Sequence, residues 1–514
     1  MLKIGRKVGI CGIKFYSTKI SEEKIKKPIS KLKNVKTNLF ESFKIWCEEM
    51  SNFDDRDKYS QDKFLKYMIP YYNHAELIED KYKEFRAFNV KTKLKDDKDG
   101  QWYLNEIRIE KGNKLNTKHH LVMLHGYGAS SVWFYKNYKE IIENSFKVKN
   151  LCIHGIDMIG FGLSGRPNIK FKHDKDTISE LDIQTEGIKW DGKNGICIKC
   201  GGHLDGKINK DKHWCYCSDE EEDLRRGNIG FNEEKPNIII KNSDICDYMK
   251  NQQELVNEVE DIYVETLEEW RKKQNIEKMD LLCHSFGGYM GFNYLLKYPN
   301  RVNNIMMVSP GGVERTPFAI TNPKYKDIFK NNERDNKLKI KIENNVSSYG
   351  FLGRYGIIEE FFRILWRNKI SIFMLLRLIG PFGPKLINDR NISKFTRSGS
   401  IKDEKEIKLF MRYIYSYCIR KSFSETSIMR VFDSSIVGKT PILDKIRDNK
   451  DLLKDKKILW VYGEHDFMYK ECGYAAIKEN EGRGECIIVS NAGHNVYMDN
   501  YEEFNRRAIK FFDY

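Results

Sequence analysis

The strongest constraint in this chain is a set of short apolar runs, most of them ending in a glycine or small-residue turn. They read "HHLVMLHG" (119–126), "NLCIHGIDMIG" (150–160), "MDLLCHS" (279–285), "VNNIMMVSP" (302–310), "KILWVYGEHD" (457–466) and "CIIVSNAGH" (486–494). Their apolar residues are consecutive rather than alternating, which suits strands covered on both faces. Two earlier segments, "FRAFNVKT" (85–92) and "WYLNEIRIEKG" (102–112), carry strand signals as well. Helical patterns follow several of the runs, at 252–274, 288–299 and 501–512. Strand and helix in alternation predict an α/β protein with a mostly parallel central sheet and flanking helices.

Two blocks interrupt the alternation. Residues 168–250 are rich in Lys, Asp, Glu and Asn and read as a charged insertion of low order. Residues 313–450 are mostly helical in pattern and fall between two strands. Such a block sits over the carboxyl ends of the strands, where open α/β sheets bind ligands, so it is read as a lid. The chain then divides into an N-terminal extension (1–60), core (61–167), insertion (168–250), core with the serine turn (251–312), lid (313–450) and core (451–514). Within the extension, "TNLFESFKIWCEEM" (37–50) predicts an amphipathic helix with Phe40, Phe43 and Trp46 on one side.

Net charge is +15 over 514 residues. It reads either as attraction to an anionic lipid surface or as a dispersed lysine bias. No zinc-finger tandem, RNA-recognition signature or long basic helix points to nucleic acid. Twelve cysteines in a chain of this length do not make a disulfide framework, so a reducing compartment is the default. No apolar run approaches the ~20 residues of a membrane span. The best stretch, "KISIFMLLRLIG" (369–380), is broken by Lys369 and Arg377. The first 20 residues hold five basic residues and no acid, the pattern of a transit peptide or of a plain basic terminus. The expected location is cytoplasmic or peripheral to a membrane, with a mitochondrion or other organelle as the alternative.

The chemistry gathers around "DLLCHSFGGYM" (280–290). A buried strand runs into a turn that resembles GxSxG, with Cys283 in place of the first glycine. A serine hydroxyl needs a base, an orienting acid and donors for the oxyanion. Ser285 at a strand-to-helix turn is the candidate nucleophile. His494, at the end of the last strand, is the candidate base. Asp466, at the end of the strand before it, is the candidate acid. Glu464 is the reserve acid and His465 a bystander. In "LHGYGAS" (124–130), the Tyr127 amide would join the Phe286 amide as the oxyanion hole. Asp157, in "DMIGFGLSGRP" (157–167), is read as structural.

These pieces together resemble one subfamily of α/β hydrolases. It is the CGI-58-like group of N-acyl phosphatidylethanolamine lipases, cardiolipin deacylases and soluble lysophosphatidic acid acyltransferases. The resemblance spans roughly residues 85–167 and 251–514. It is carried best by 264–313 and by "SNAGHNVYMDNYEEFN" (490–505), with lid fragments "IGPFGPKL", "YIYSYCIRKSFSET" and "GKTPIL". It implies an α/β-hydrolase fold and a phospholipid or lysophospholipid substrate. The family's HxxxxD motif, linked to acyl transfer, matches His494 and Asp499. The subfamily also includes CGI-58-type lipase coactivators, and Ser285 stands where that branch has asparagine, which implies a competent nucleophile.

Within the insertion, Cys197, Cys200, Cys215 and Cys217 form CxxC followed by CxC, with His203 and His213 close by. They read as four thiolates for a structural zinc or as an incidental cluster in a polar loop. No cofactor is expected for catalysis. The expectation is therefore a serine hydrolase that cleaves acyl esters of phospholipids or lysophospholipids through an acyl-enzyme, in peripheral contact with an anionic membrane or lipid droplet. An acyl-CoA-dependent lysophosphatidic acid acyltransferase and a non-catalytic lipase regulator are the alternatives. Phe361, Phe362, Leu365, Trp366, Phe373, Leu375 and Leu376 would line an acyl channel or pack the lid.

Overall fold

A computed structural model of the chain describes residues 37–51, 56–73, 82–112, 119–174, 238–315, 319–321, 337–340, 365–366, 368–433 and 436–514. Phe361, Phe362 and the four insertion cysteines lie outside these residues. Eight strands form one sheet: β1 (Phe85–Lys93), β2 (Tyr103–Lys111), β3 (His119–Leu124), β4 (Leu151–Asp157), β5 (Met279–His284), β6 (Val302–Val308), β7 (Lys457–Gly463) and β8 (Glu485–Val489). Their spatial order is β1-β2-β4-β3-β5-β6-β7-β8. The β1/β2 and β2/β4 pairs are antiparallel, and the other pairs are parallel. A separate antiparallel ribbon joins Ile238–Lys241 to Lys337–Ile340.

Every residue of β4 and β5 is buried, the outcome expected of continuous apolar runs. Successive side chains point to opposite faces of a strand, so each run feeds two cores. On one face Leu121, Met123, Leu282 and Val461 pack with Ile141 and Ile142 of helix Tyr135–Glu143 and with Phe504 of helix Tyr501–Phe512. On the other, Val122, Leu124, Leu281 and Trp460 pack with Val256, Val259 and Trp270 of helix Asn242–Lys273 and with Phe292 of helix Phe286–Lys297. The long helix was expected over 252–274 and begins ten residues earlier.

Besides the ribbon strand Lys337–Ile340, the block between β6 and β7 holds the helices Ile372–Leu378, Gly383–Ser398, Glu404–Cys418, Ser424–Val431 and Ile442–Asp448. The N-terminal helices α1 (Leu39–Ser51) and α2 (Arg56–Met68) dock on this block. Phe64 of α2 stacks on Phe410 at 5.1 Å between ring centres. Ser42 of α1 donates to the Pro381 carbonyl at 2.6 Å. The apolar side expected of α1 is split: Trp46 packs inward against the core, while Phe40 and Phe43 are exposed.

One buried charge ties the sheet to the long helix. Glu106 on β2 accepts from Arg108 at 2.7 and 2.9 Å, from His154 Nδ1 at 2.6 Å and from Trp270 Nε1 at 3.1 Å. Burial opposes its charge, but the His154 ring and the Arg108 guanidinium outweigh burial and bring the carboxyl down to about 2. Removing one partner of a buried pair strands the other, at a cost of about 3–5 kcal/mol. Glu106→Gln should lower unfolding stability by about 3 kcal/mol in urea titration at neutral pH. Because the folded value is depressed, the stabilisation is present above the unfolded value of about 4.3 and fades as pH falls through about 2. The gap between wild type and variant should shrink over that window.

Candidate active site

β5 ends at His284 and the helix Phe286–Lys297 begins two residues later. Ser285 makes the turn alone, with φ 54° and ψ −116°. A positive φ at a non-glycine residue costs on the order of 1–3 kcal/mol and persists only where its surroundings over-determine it. Here the Ser285 amide donates to Val308 O at 3.0 Å, and Gly311 N donates to Ser285 O at 3.1 Å. The following glycine has no room for a side chain. A Cβ at Gly287 would lie 2.4 Å from His125 O. The departure at Cys283 has its own accommodation: a Cβ at Gly291, one helical turn further on, would meet the Cys283 sulfur at 2.4 Å. The sulfur occupies space that a larger residue at 291 would need.

Three side chains then stand in one hydrogen-bonded line. Ser285 Oγ is 3.0 Å from His494 Nε2, and His494 Nδ1 is 3.0 Å from Asp466 Oδ1. Both His494 and Asp466 sit just beyond strand ends, in the loops after β8 and β7. The Asp466 side chain is almost wholly buried, at 1% exposure. Burial alone would raise its carboxyl. The His494 ring and the Met468 amide, which donates to Oδ1 at 3.0 Å, hold it below the usual carboxylate range. An ionised Asp466 fixes the Nδ1–H tautomer, which leaves Nε2 as the acceptor for the serine proton. His284 closes the arrangement from behind. Its Nε2 lies 3.0 Å from the His494 carbonyl, and its ring packs on the His494 ring at 4.8 Å between centres. Sequence reading passed over this histidine, although it is adjacent to the serine.

The loop after β3 presses against the turn. A Cβ at Gly126 would lie 2.8 Å from His284 Nδ1 and 3.0 Å from Ser285 Cβ, so the backbone entering Tyr127 passes beside the serine. Phe286 is the first helical residue, and its amide belongs to the first turn, whose N–H groups have no intrahelical acceptor. Phe373 covers this loop from above, 5.6 Å from the Tyr127 ring and against Gly128. The Tyr127 hydroxyl donates to the Glu425 carbonyl at 2.6 Å. Glu425 in turn binds Ser371 and pairs with Arg377 at 2.8 and 2.9 Å. The lid is thereby wired to the loop beside Ser285.

The remaining candidates have other partners. Glu464 accepts from the Asn491 amide at 2.9 Å, and His465 is exposed. Asp157 accepts from the Ser131 and Leu163 amides and from Asn105, so it ties the 157–166 turn to β2. Asp499 Oδ2 accepts from the Gly493 amide at 3.0 Å, which braces the residue before His494. Among the described residues, His120, Cys152 and His154 bring ligand-type atoms within 4.8 Å of one another. Both His154 nitrogens are engaged inside the protein, by His120 at 3.0 Å and by Glu106 at 2.6 Å. A surface cleft of about 610 Å³, lined by Glu140, Lys147, Glu502 and Lys510 among others, contains none of the serine-site residues.

Comparison with known proteins agrees with this fold. The family model for the alpha/beta hydrolase fold matches residues 119–501. Protein ECM18 of Saccharomyces cerevisiae is 26% identical over 91% of this chain and 83% of its own length. The 1-acylglycerol-3-phosphate O-acyltransferase ICT1 of the same yeast is 25% identical, covering 80% of this chain and 85% of its own. The human (Lyso)-N-acylphosphatidylethanolamine lipase is 28% identical over 48% of this chain and 62% of its own.

The Cys283–Gly291 contact yields a rescue test. Overpacking a core costs about 1–3 kcal/mol. Gly291→Ala should lower thermal stability by about that amount. Adding Cys283→Gly to it should restore most of the loss, measured by thermal melting.

Proposed function

The chain belongs to the alpha/beta hydrolase family, and from that premise we propose that it is a serine hydrolase of phospholipid or lysophospholipid acyl esters. The observation that carries this reading is the Ser285–His494–Asp466 line, with 3.0 Å at each step. His494 Nε2 takes the Ser285 proton as Oγ attacks the acyl carbonyl. Asp466 keeps the imidazole oriented and offsets its charge. The Tyr127 and Phe286 amides receive the oxyanion of the tetrahedral intermediate. The leaving alcohol takes the proton from His494, and an acyl ester remains on Ser285. Water, deprotonated by the same histidine, releases the fatty acid.

The substrate class is supported by the relatives' names, a lysophospholipid-type lipase and acylglycerophosphate acyltransferases, and by the apolar lid over the Tyr127 loop. Those acyltransferase names favour a second reading, in which acyl-CoA loads the serine and lysophosphatidic acid accepts the acyl group. In that reading Asp499 acts as a brace for the histidine loop through the Gly493 amide. A catalytically silent scaffold is disfavoured by a serine hydroxyl already bonded to a base.

One experiment separates the three. Wild type should label with a fluorophosphonate probe, and Ser285→Ala should not. On a mixed phospholipid panel, wild type alone should release free fatty acid. Fatty acid release without acyl-CoA supports hydrolysis. Phosphatidic acid formed from lysophosphatidic acid only when acyl-CoA is present supports transfer. No labelling of wild type returns the scaffold.

A further inference from the structure

The two hydrogen bonds of the His494 ring leave one of its motions weakly opposed. Bonds at Nδ1 and Nε2 lie in the plane of an imidazole, so they set its direction more firmly than its tilt. Tilt is opposed by whatever touches the faces of the ring. Two rings pack on it. His284, whose Nε2 also meets the His494 carbonyl, lies 4.8 Å away between centres, with 53° between planes. Phe467 lies nearer, at 4.2 Å and 34°, which is closer to stacked than to edge-on.

The turn after β7 puts Phe467 there. The Asp466 amide donates to Gly463 O at 3.1 Å, and the His465 amide donates to Ala492 O at 2.8 Å, which clips the turn to the loop that carries His494. Asp466 Oδ1 meets His494 Nδ1 and accepts from the Met468 amide, each at 3.0 Å. Both neighbours of Phe467 are thus tied to one carboxylate oxygen, and the ring between them lies against the imidazole. Met468 and Tyr469 pack against the core, whereas the half-buried Phe467 belongs to neither core. Its burial is spent on the histidine rather than on the sheet.

We propose that Phe467 is a positioning residue for His494: its ring holds the imidazole in the line between Ser285 and Asp466, and offsets the charge the imidazole gains when it takes the serine proton. The first half stands on ring geometry. The second rests on the serine-hydrolase reading of the site. The face of a benzene ring is electron-rich and attracts a cation, more so where water is excluded. A neutral imidazole gains little from that face, and a protonated one gains more. The attraction therefore grows towards the transition state, and an interaction of that kind is read in kcat rather than in KM.

The test uses the full chain with Phe467→Leu, which keeps an apolar side chain without a ring, and Phe467→Tyr, which keeps the ring. Both should melt with wild type. Where Phe467→Leu melts early, Phe467→Met takes its place with the same expectations, and early melting of both overturns the proposal in favour of a merely structural role. On a soluble short-chain ester, Phe467→Leu should lower kcat about fivefold and leave KM unchanged, while Phe467→Tyr stays with wild type. In a His494→Ala background, Phe467→Leu should change the residual rate of fluorophosphonate labelling no further, because the ring acts through the imidazole. A second readout needs no turnover. The low-field proton resonance of His494 Nδ1–H, assigned by its loss in His494→Ala, should be sharp in wild type and Phe467→Tyr and broadened in Phe467→Leu. The proposal is overturned if Phe467→Leu matches wild type, if Phe467→Tyr loses as much as Phe467→Leu, or if the effect persists without His494. A raised KM with kcat held also overturns it, since Phe467 would then be a substrate contact. A wild type that neither labels nor turns over the ester sinks the serine-hydrolase reading, and the resonance alone then decides whether Phe467 holds the ring.

Discussion

The geometry depends on one strained residue. Ser285 holds a positive φ, and it can do so because backbone from β6 and the loop after it grips it on both sides, through Val308 O and Gly311 N. β6 is an interior strand of the sheet, and its apolar run is packed on both faces, Met306 and Val308 into one core and Ile305 and Met307 into the other. Strain at Ser285 is thus maintained by the core. The same turn sets the other distances. It brings the serine hydroxyl to His494 and leaves the Phe286 amide at a helix start beside the Gly126–Tyr127 backbone.

Much of this was legible in the sequence because strand ends are easy to find in a parallel sheet. Unbroken apolar runs mark the strands, and the residues just past them collect at one end. Asp466 and His494 could therefore be placed near Ser285 without any knowledge of distance. What could not be read were contacts across elements. The Cys283 sulfur is accommodated by Gly291, but one residue lies in a strand and the other on the helix packed against it. No spacing rule marks such a pair. His284 was overlooked because its role depends on the carbonyl and ring of a residue 210 positions away.

The N-terminal helix shows the limit of pattern reading most clearly. An amphipathic pattern says that one side of a helix will be covered, without saying by what. For α1, Trp46 is covered by protein, while Phe40 and Phe43 are left facing out. Docking on the lid covers one side of this helix and leaves the other exposed. Glu425, joined to Arg377, Ser371 and the Tyr127 hydroxyl, links the lid to the loop beside Ser285. Lid position and the serine site thereby share one chain of hydrogen-bonded residues.

The central claim is that Ser285 becomes acylated, and intact-protein mass spectrometry of enzyme quenched during turnover tests it most directly. With a lysophospholipid substrate, the account expects a mass gain equal to the fatty acid less water, mapped by proteolysis to the peptide holding Ser285. That adduct should be absent in Ser285→Ala. Free fatty acid accumulating with no adduct on the wild-type serine, or an adduct that persists in Ser285→Ala, would contradict it.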